Sequence, residues 1–182
     1  ASGGYSSLAS RPRRRFAAVQ RVVGLLLMLF SSTMLPPLFV DLLHGGDTWI
    51  AFFEGLWISL IFGALLWFPV RHHRSELKVR DGFLVVVLFW GVLSIFGAIP
   101  LYITHVGWHT LTDAVFESVS GLTTTGATTI ASGLDTMPRA ILYYRSQLHW
   151  LGGLGVIVLA VAVMPMLGGG GMQLYKAETP GP

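Results

Sequence analysis

Two stretches of this chain, Val22–Val40 and Phe83–Ile103, contain no Asp, Glu, Lys or Arg, and a third, Thr48–Val70, holds a single acid, Glu54. A helix needs about 20 apolar residues to cross the ~30 Å core of a bilayer, and each stretch has that length. A further apolar run covers residues 139–167, with its two arginines, Arg139 and Arg145, near its start. A water-soluble core would have to hide all four. The chain is 53% hydrophobic and 12% charged over 182 residues, against about 25% charged in an ordinary soluble domain. The sequence therefore predicts an all-α membrane protein. Cysteine is absent, which excludes disulfides, thiolate nucleophiles and cysteine metal sites.

Residues 1–16 are polar and basic, with arginines at 11, 13, 14 and 15. An apolar run follows at once, so the cluster reads as a cytoplasmic flank and not as a nucleic-acid arm. No short apolar core with a small-residue cleavage site follows, so no signal peptide is expected. The chain begins with Ala and stops in the polar stretch KAETPGP, and it is expected to be a fragment. Pro36 and Pro37 are expected to kink or end the first span. Arg71, Arg74, Lys78 and Arg80 lie after the second span, whereas 44–47 and 104–109 hold no Lys or Arg. The expected orientation places the N-terminus and the 71–80 loop in the cytoplasm.

Residues 109–122 break the pattern. Fourteen residues make a helix of about 21 Å, too short to cross. Leu111, Ala114, Val115, Val119 and Leu122 recur at helical spacing, and Thr110 with Asp113 forms a helix start signal. The segment reads as a short helix that enters the membrane and stops inside it. It lacks the Lys or Arg that would hold a surface helix on anionic lipid. SGLTTTGATTI (120–130) follows.

Three kinds of chemistry compete for that stretch. Gly121 to Gly126 fits the glycine spacing of a phosphate loop, but Ala127 stands where the lysine belongs. An intramembrane hydrolase would draw on Ser118, Ser120, His105, His109 and His149, without a G-x-S-x-G elbow or a second acid–base pair spaced to the serines. A cation site fits the setting. Irregular backbone at membrane depth is tolerated where it lines a watery cavity, and its carbonyls can replace an ion's water shell. Gly126 can take positive φ and turn neighbouring carbonyls to one side. Oxygen ligands without a carboxylate suit a large monovalent ion better than Mg²⁺ or Ca²⁺. The residues point to a filter built from the carbonyls of Thr123, Thr124, Thr125, Gly126 and Ala127.

The stretches FESVSGLTTTGATTI (116–130), YYRSQLHWLGGLGVIVLAVAVMPMLG (143–168) and GGMQLYKAETPGP (170–182) resemble the Trk/Ktr/HKT potassium transporters, closest to the bacterial Trk-type membrane subunit. The apolar pair at 17–70 is similar to the extra N-terminal hairpin of that type. The resemblance implies four helix–pore-helix–filter–helix repeats around one pore, of which this chain holds one. It places Gly126 at the filter glycine and K⁺ at Thr124 and Thr125, in a simpler filter than the T-V-G-Y-G of tetrameric potassium channels. The divisions it implies are the tail at 1–16, a transmembrane hairpin at 17–72, the repeat at 78–170 and a cytoplasmic connection at 171–182. Expected partners are potassium as substrate, the lipid bilayer, later repeats of the same chain, a second copy in a homodimer, and a cytosolic nucleotide-binding RCK-type subunit. No cofactor, nucleic acid or enzymatic step is expected.

The function implied is potassium uptake across the bacterial inner membrane. A one-repeat cation channel assembled from several copies is the second reading, and an intramembrane Ser/His enzyme the third. Glu117 and Arg145 are expected to pair behind the filter, since ions inside a membrane are costly unless paired. The alternative sends Glu117 to the outer vestibule and lets Arg145 snorkel. Asp113 and Asp135 read as a helix cap and a solvated residue, or as a lure for cations at the outer mouth. Gly152, Gly153 and Gly155 allow close helix packing or a bend, Gly168–Gly171 reads as a helix end, and Trp49, Trp108 and Trp150 as interfacial anchors.

Overall fold

The computed structural model describes residues 11–73, 78–107 and 110–178, with side chains at 16–73, 78–107 and 110–161. His109, Trp108, Arg74 and the first ten residues lie outside the described set. Six α-helices follow in order: α1 (Arg11–Ser32), α2 (Leu35–Leu43), α3 (Trp49–Trp67), α4 (Val79–Thr104), α5 (Leu111–Leu122) and α6 (Arg139–Glu178). Single 3₁₀ turns stand at Phe68–Val70 and Leu134–Thr136. No strand occurs among the described residues. Three spans are long and apolar enough to cross a membrane: Phe16–Leu43, Trp49–Val70 and Val79–Thr104.

The first span is broken, not merely kinked. Helix α1 stops at Ser32, two turn residues follow, and α2 restarts at Leu35 with prolines in its first turn. Proline is accepted there because the first helical N–H groups have no intrahelical partner to lose. The break exposes backbone groups that lipid cannot satisfy. The carbonyl of Thr33 is met by Gln147 Nε2, which reaches over from α6. Helix α4 carries Pro100 inside it and remains one helix. Three residues before it, the Gly97 carbonyl accepts the Tyr144 hydroxyl at 2.7 Å.

Small residues let the helices approach. A Cβ on Gly24 would lie 2.9 Å from the Gly63 carbonyl, and one on Gly63 would lie 2.7 Å from Met28 Cγ, so α1 and α3 meet almost backbone to backbone. Such contacts drive association where no hydrophobic force operates between helices. The core is formed by Leu27, Phe30 and Met34 of α1 and its turn, Phe52, Leu101, and Ile141, Tyr144 and Leu148 of α6. Tyr144 is fully buried and packs edge-on to Phe52, with ring centroids 5.1 Å apart.

Two polar contacts mark the ends of the bundle. Arg21, halfway along α1, donates to the His73 carbonyl after α3 at 3.1 Å. At the opposite end, Arg139 at the start of α6 lies 3.0 Å from His44 Nε2 after α2. Helix α6 continues through Gly168–Gly171 to Glu178, so the glycine run does not end it.

Candidate functional site

The site is built from both ends of α5. Thr110 stands in extended backbone and its Oγ1 accepts from the Asp113 N–H at 3.1 Å, which fixes the helix start. Ala114, Glu117, Ser118, Ser120, Gly121 and Leu122 are buried. The helix stops after 12 residues.

A helix end normally leaves its last four carbonyls without partners. Here all four are taken. Val119 O accepts from the Thr123 N–H at 2.8 Å and from Thr123 Oγ1 at 2.6 Å. Ser120 O accepts from Thr125 N at 2.9 Å and Gly126 N at 3.3 Å, and Gly121 O accepts from Thr124 N at 3.0 Å. Leu122 O is met from α4 by Trp90 Nε1 at 3.0 Å.

The same bonds dispose of the N–H groups of four consecutive residues, 123 to 126. All of them face the helix end. Thr124 has φ 57° and Gly126 φ 80°, while Thr123 between α5 and Thr124 has φ −85° and ψ 1°. A right-handed residue followed by a left-handed one turns successive N–H groups to one side, which sends carbonyls the other way. Among the described residues, the carbonyls of Thr123, Thr124, Thr125 and Gly126 accept no hydrogen bond. All four residues are exposed. Ala127 differs from them, because its carbonyl accepts the Ser120 hydroxyl at 2.6 Å. Positive φ was expected at Gly126 alone. Thr124 is β-branched, and holding it in that region costs about 1–2 kcal/mol.

The chain leaving this loop is held by Glu117, which is buried. Its Oε2 accepts from Thr128 Oγ1 at 3.0 Å and from Thr129 N at 3.4 Å. Its Oε1 lies 2.7 Å from Arg145 Nε and 2.5 Å from Arg145 Nη2. The geometry thus brings Glu117 and Arg145 together, and both carboxylate oxygens are occupied. One turn later, His149 Nδ1 lies 2.8 Å from the Arg145 carbonyl.

Other sequence candidates are dispersed. Ser120 donates to a carbonyl, and the buried Ser118 hydroxyl has no partner among the described residues. His105 caps α4 and packs on Tyr102, with ring centroids 5.4 Å apart. Among the described residues no hydrogen bond joins a histidine to either serine. No cluster of His, Asp and Glu able to hold a metal occurs among them either. Asp135 is exposed in its 3₁₀ turn. Gly152 is where α6 meets α5, since a Cβ there would fall 2.1 Å from Leu122 O. The space around Gly153 is open. Trp90 was not singled out from sequence, and its donor role has no local signal beyond an indole within an apolar run.

The family model described as TrkH, cation transport protein, matches residues 49–182. The Trk system potassium uptake protein TrkH of Halomonas elongata is 57% identical over 164 residues, which is 90% of this chain and 34% of that protein. The protein of that name from Escherichia coli K12 is 54% identical over 167 residues, covering 92% of this chain and 34% of its own length. The crystal structure of the potassium transporter TrkH from Vibrio parahaemolyticus superposes with a TM-score of 0.79 at 54% identity, over 84% of this chain and 32% of that one. The chain spans about a third of the length of these relatives. A match over residues 49–182, with a helical membrane fold shared at this level of identity, makes the chain a member of the TrkH family of cation transport proteins.

Proposed function

We propose that this chain supplies one wall of a monovalent-cation filter in a protein that takes up potassium across the bacterial inner membrane. One observation carries the reading: the N–H groups of Thr124, Thr125 and Gly126 are turned into the end of α5, which sends the carbonyls of Thr123, Thr124 and Thr125 the other way, and these and the Gly126 carbonyl accept no hydrogen bond among the described residues. Carbonyl oxygens left unclaimed on an exposed loop form a ligand set for a dehydrated cation of low charge density. Thr124 and Thr125 lie at its centre. Ala127, tied to Ser120, anchors the exit of the loop, and the Glu117–Arg145 pair braces the strand that follows.

Potassium is the substrate, and passage requires binding without bond chemistry, cofactor or enzymatic step. The family resemblance divides the chain into the tail at 1–16, the hairpin at 17–72, the repeat at 78–170 and the connection at 171–182. It adds further repeats around the pore, a homodimer, and a cytosolic nucleotide-binding subunit as regulator. The basic residues of the tail and of the 71–80 loop put the N-terminus in the cytoplasm.

Gly126→Ser tests the filter. Serine at φ 80° carries a strain of about 1–2 kcal/mol, and the loop relaxes by turning carbonyls out of line. Rubidium uptake competed with sodium is expected to show a several-fold loss of potassium-type preference. An unchanged preference, at equal protein in the membrane, would falsify the filter assignment.

A further inference from the structure

The bonds that tie the loop to α5 are local. Thr123, Thr124, Thr125 and Gly126 donate to Val119, Ser120 and Gly121, and Ser120 donates to Ala127. They fix the loop on its own helix and leave open where the tip of that helix stands in the fold. One bond answers to the rest of the molecule. Trp90, midway along α4, donates from Nε1 to the Leu122 carbonyl at 3.0 Å. Among the described residues it is the only hydrogen bond that another helix makes to the backbone of α5 or of residues 123–127. An indole N–H only donates and a carbonyl only accepts, so the direction of the bond is unambiguous. Leu122 is the last residue of α5. Helix carbonyls lie roughly along the axis and point toward its C-terminal end. The Leu122 oxygen therefore faces past the tip, and its donor bears on how far α5 reaches.

We propose that Trp90 is a positioning residue of the cation site: its indole N–H is an end stop for α5 and sets the depth at which the loop presents its carbonyls. The inference rests on the filter reading above. The Glu117–Arg145 pair also holds α5, but it grips a side chain more than a turn before the tip. A long side chain can follow small sliding movements of its helix, whereas a backbone carbonyl moves only with the backbone. The Leu122–Thr123 peptide is held on both edges, by Trp90 at its oxygen and by Val119 at its N–H. The first unclaimed carbonyl, that of Thr123, belongs to the very next peptide. Without the indole N–H, the oxygen of the buried Leu122 loses its partner, and the tip shifts toward any other donor in reach, since a buried carbonyl without one is costly. The loop moves with the tip. An ion gives up its water only against a matching set of oxygens, so a filter wall out of step with the others weakens the distinction between ions. Trp90 itself touches no ion.

The test uses the full-length transporter in cells, with rubidium uptake measured against competing sodium. Trp90→Phe keeps an aromatic ring and removes the donor. It is expected to lower the preference for rubidium over sodium about three- to tenfold, the effect of one lost hydrogen bond, with the amount of protein in the membrane near wild type. The deciding variant places 3-benzothienylalanine at position 90 by stop-codon suppression. Sulfur there replaces the indole N–H and the shape of the ring is kept, so the same shift is expected even where the phenylalanine protein fails to assemble. Tryptophan inserted by the same suppression restores the wild-type preference. A role in packing alone would leave the benzothienyl protein with normal preference, and that result overturns the end stop. Loss of the benzothienyl protein from the membrane would show a need of the bond for folding and overturns it too. Unchanged preference in this variant, while Gly126→Ser shifts it, leaves the filter standing. Unchanged preference in both overturns the filter as well.

Discussion

Glu117 spends both of its oxygens, one on Arg145 and one on Thr128 and Thr129. A buried carboxylate with a full set of partners is tolerable, and one that loses its cation is not. Glu117→Ala and Arg145→Ala are each expected to destabilise the protein by about 3 kcal/mol, since each strands the other charge. The double variant Glu117→Gln with Arg145→Met is expected to cost less than either single change, because no unpaired charge remains. Thermal unfolding of the four solubilised proteins checks this, and a double variant worse than both singles would contradict it. The contact itself is partly legible in the sequence, since two opposite charges at membrane depth have few other partners to choose from. The grip of Oε2 on the exit strand is not. It depends on where the chain returns after the loop, and no periodicity encodes that return. Thr124 was equally hidden, because positive φ is expected of glycine and not of a β-branched residue.

At the level of helices, apolar runs marked the elements and left their ends to tertiary contacts. The runs at 48–70 and 83–103 correspond to α3 with its 3₁₀ turn and to α4. The prolines at 36 and 37 announced a disturbance, but whether it would be a bend or a break depended on Gln147 being present to satisfy Thr33, which only the packing of α6 decides. The glycines of α6 show the same limit. In sequence Gly152 and Gly153 are equivalent, and in the fold they are opposites. A methyl group at 152 would collide with the backbone of Leu122, whereas one at 153 meets nothing within 4 Å. Gly152→Ala is therefore expected to push α6 off the end of α5 and cost about 3 kcal/mol. Gly153→Ala is expected to be neutral or to stabilise by up to about 1 kcal/mol through helix propensity. Comparing the yields and melting points of the two variants distinguishes close packing from general helix weakening, which would affect both alike.

Across the whole molecule, Arg21 with His73 and His44 with Arg139 mark two opposite ends. The absence of cysteine makes the orientation directly measurable. Single cysteines in place of Asp47 and Ser132 are expected to react with an impermeant maleimide on intact cells, and one in place of His72 only after permeabilisation. The reverse pattern would invert the proposed topology. The bond from Gln147 to Thr33 also has a meaning in time. Its two ends are 114 residues apart, so during synthesis the broken first span enters the bilayer long before its donor leaves the ribosome. Until then the Thr33 carbonyl has only water, the translocation machinery or a distorted backbone to turn to. Chains arrested before α6 are expected to be cut by protease near Thr33, and chains carrying α6 to be protected there. Insertion of the first helix is thus provisional, and its completion waits on α6.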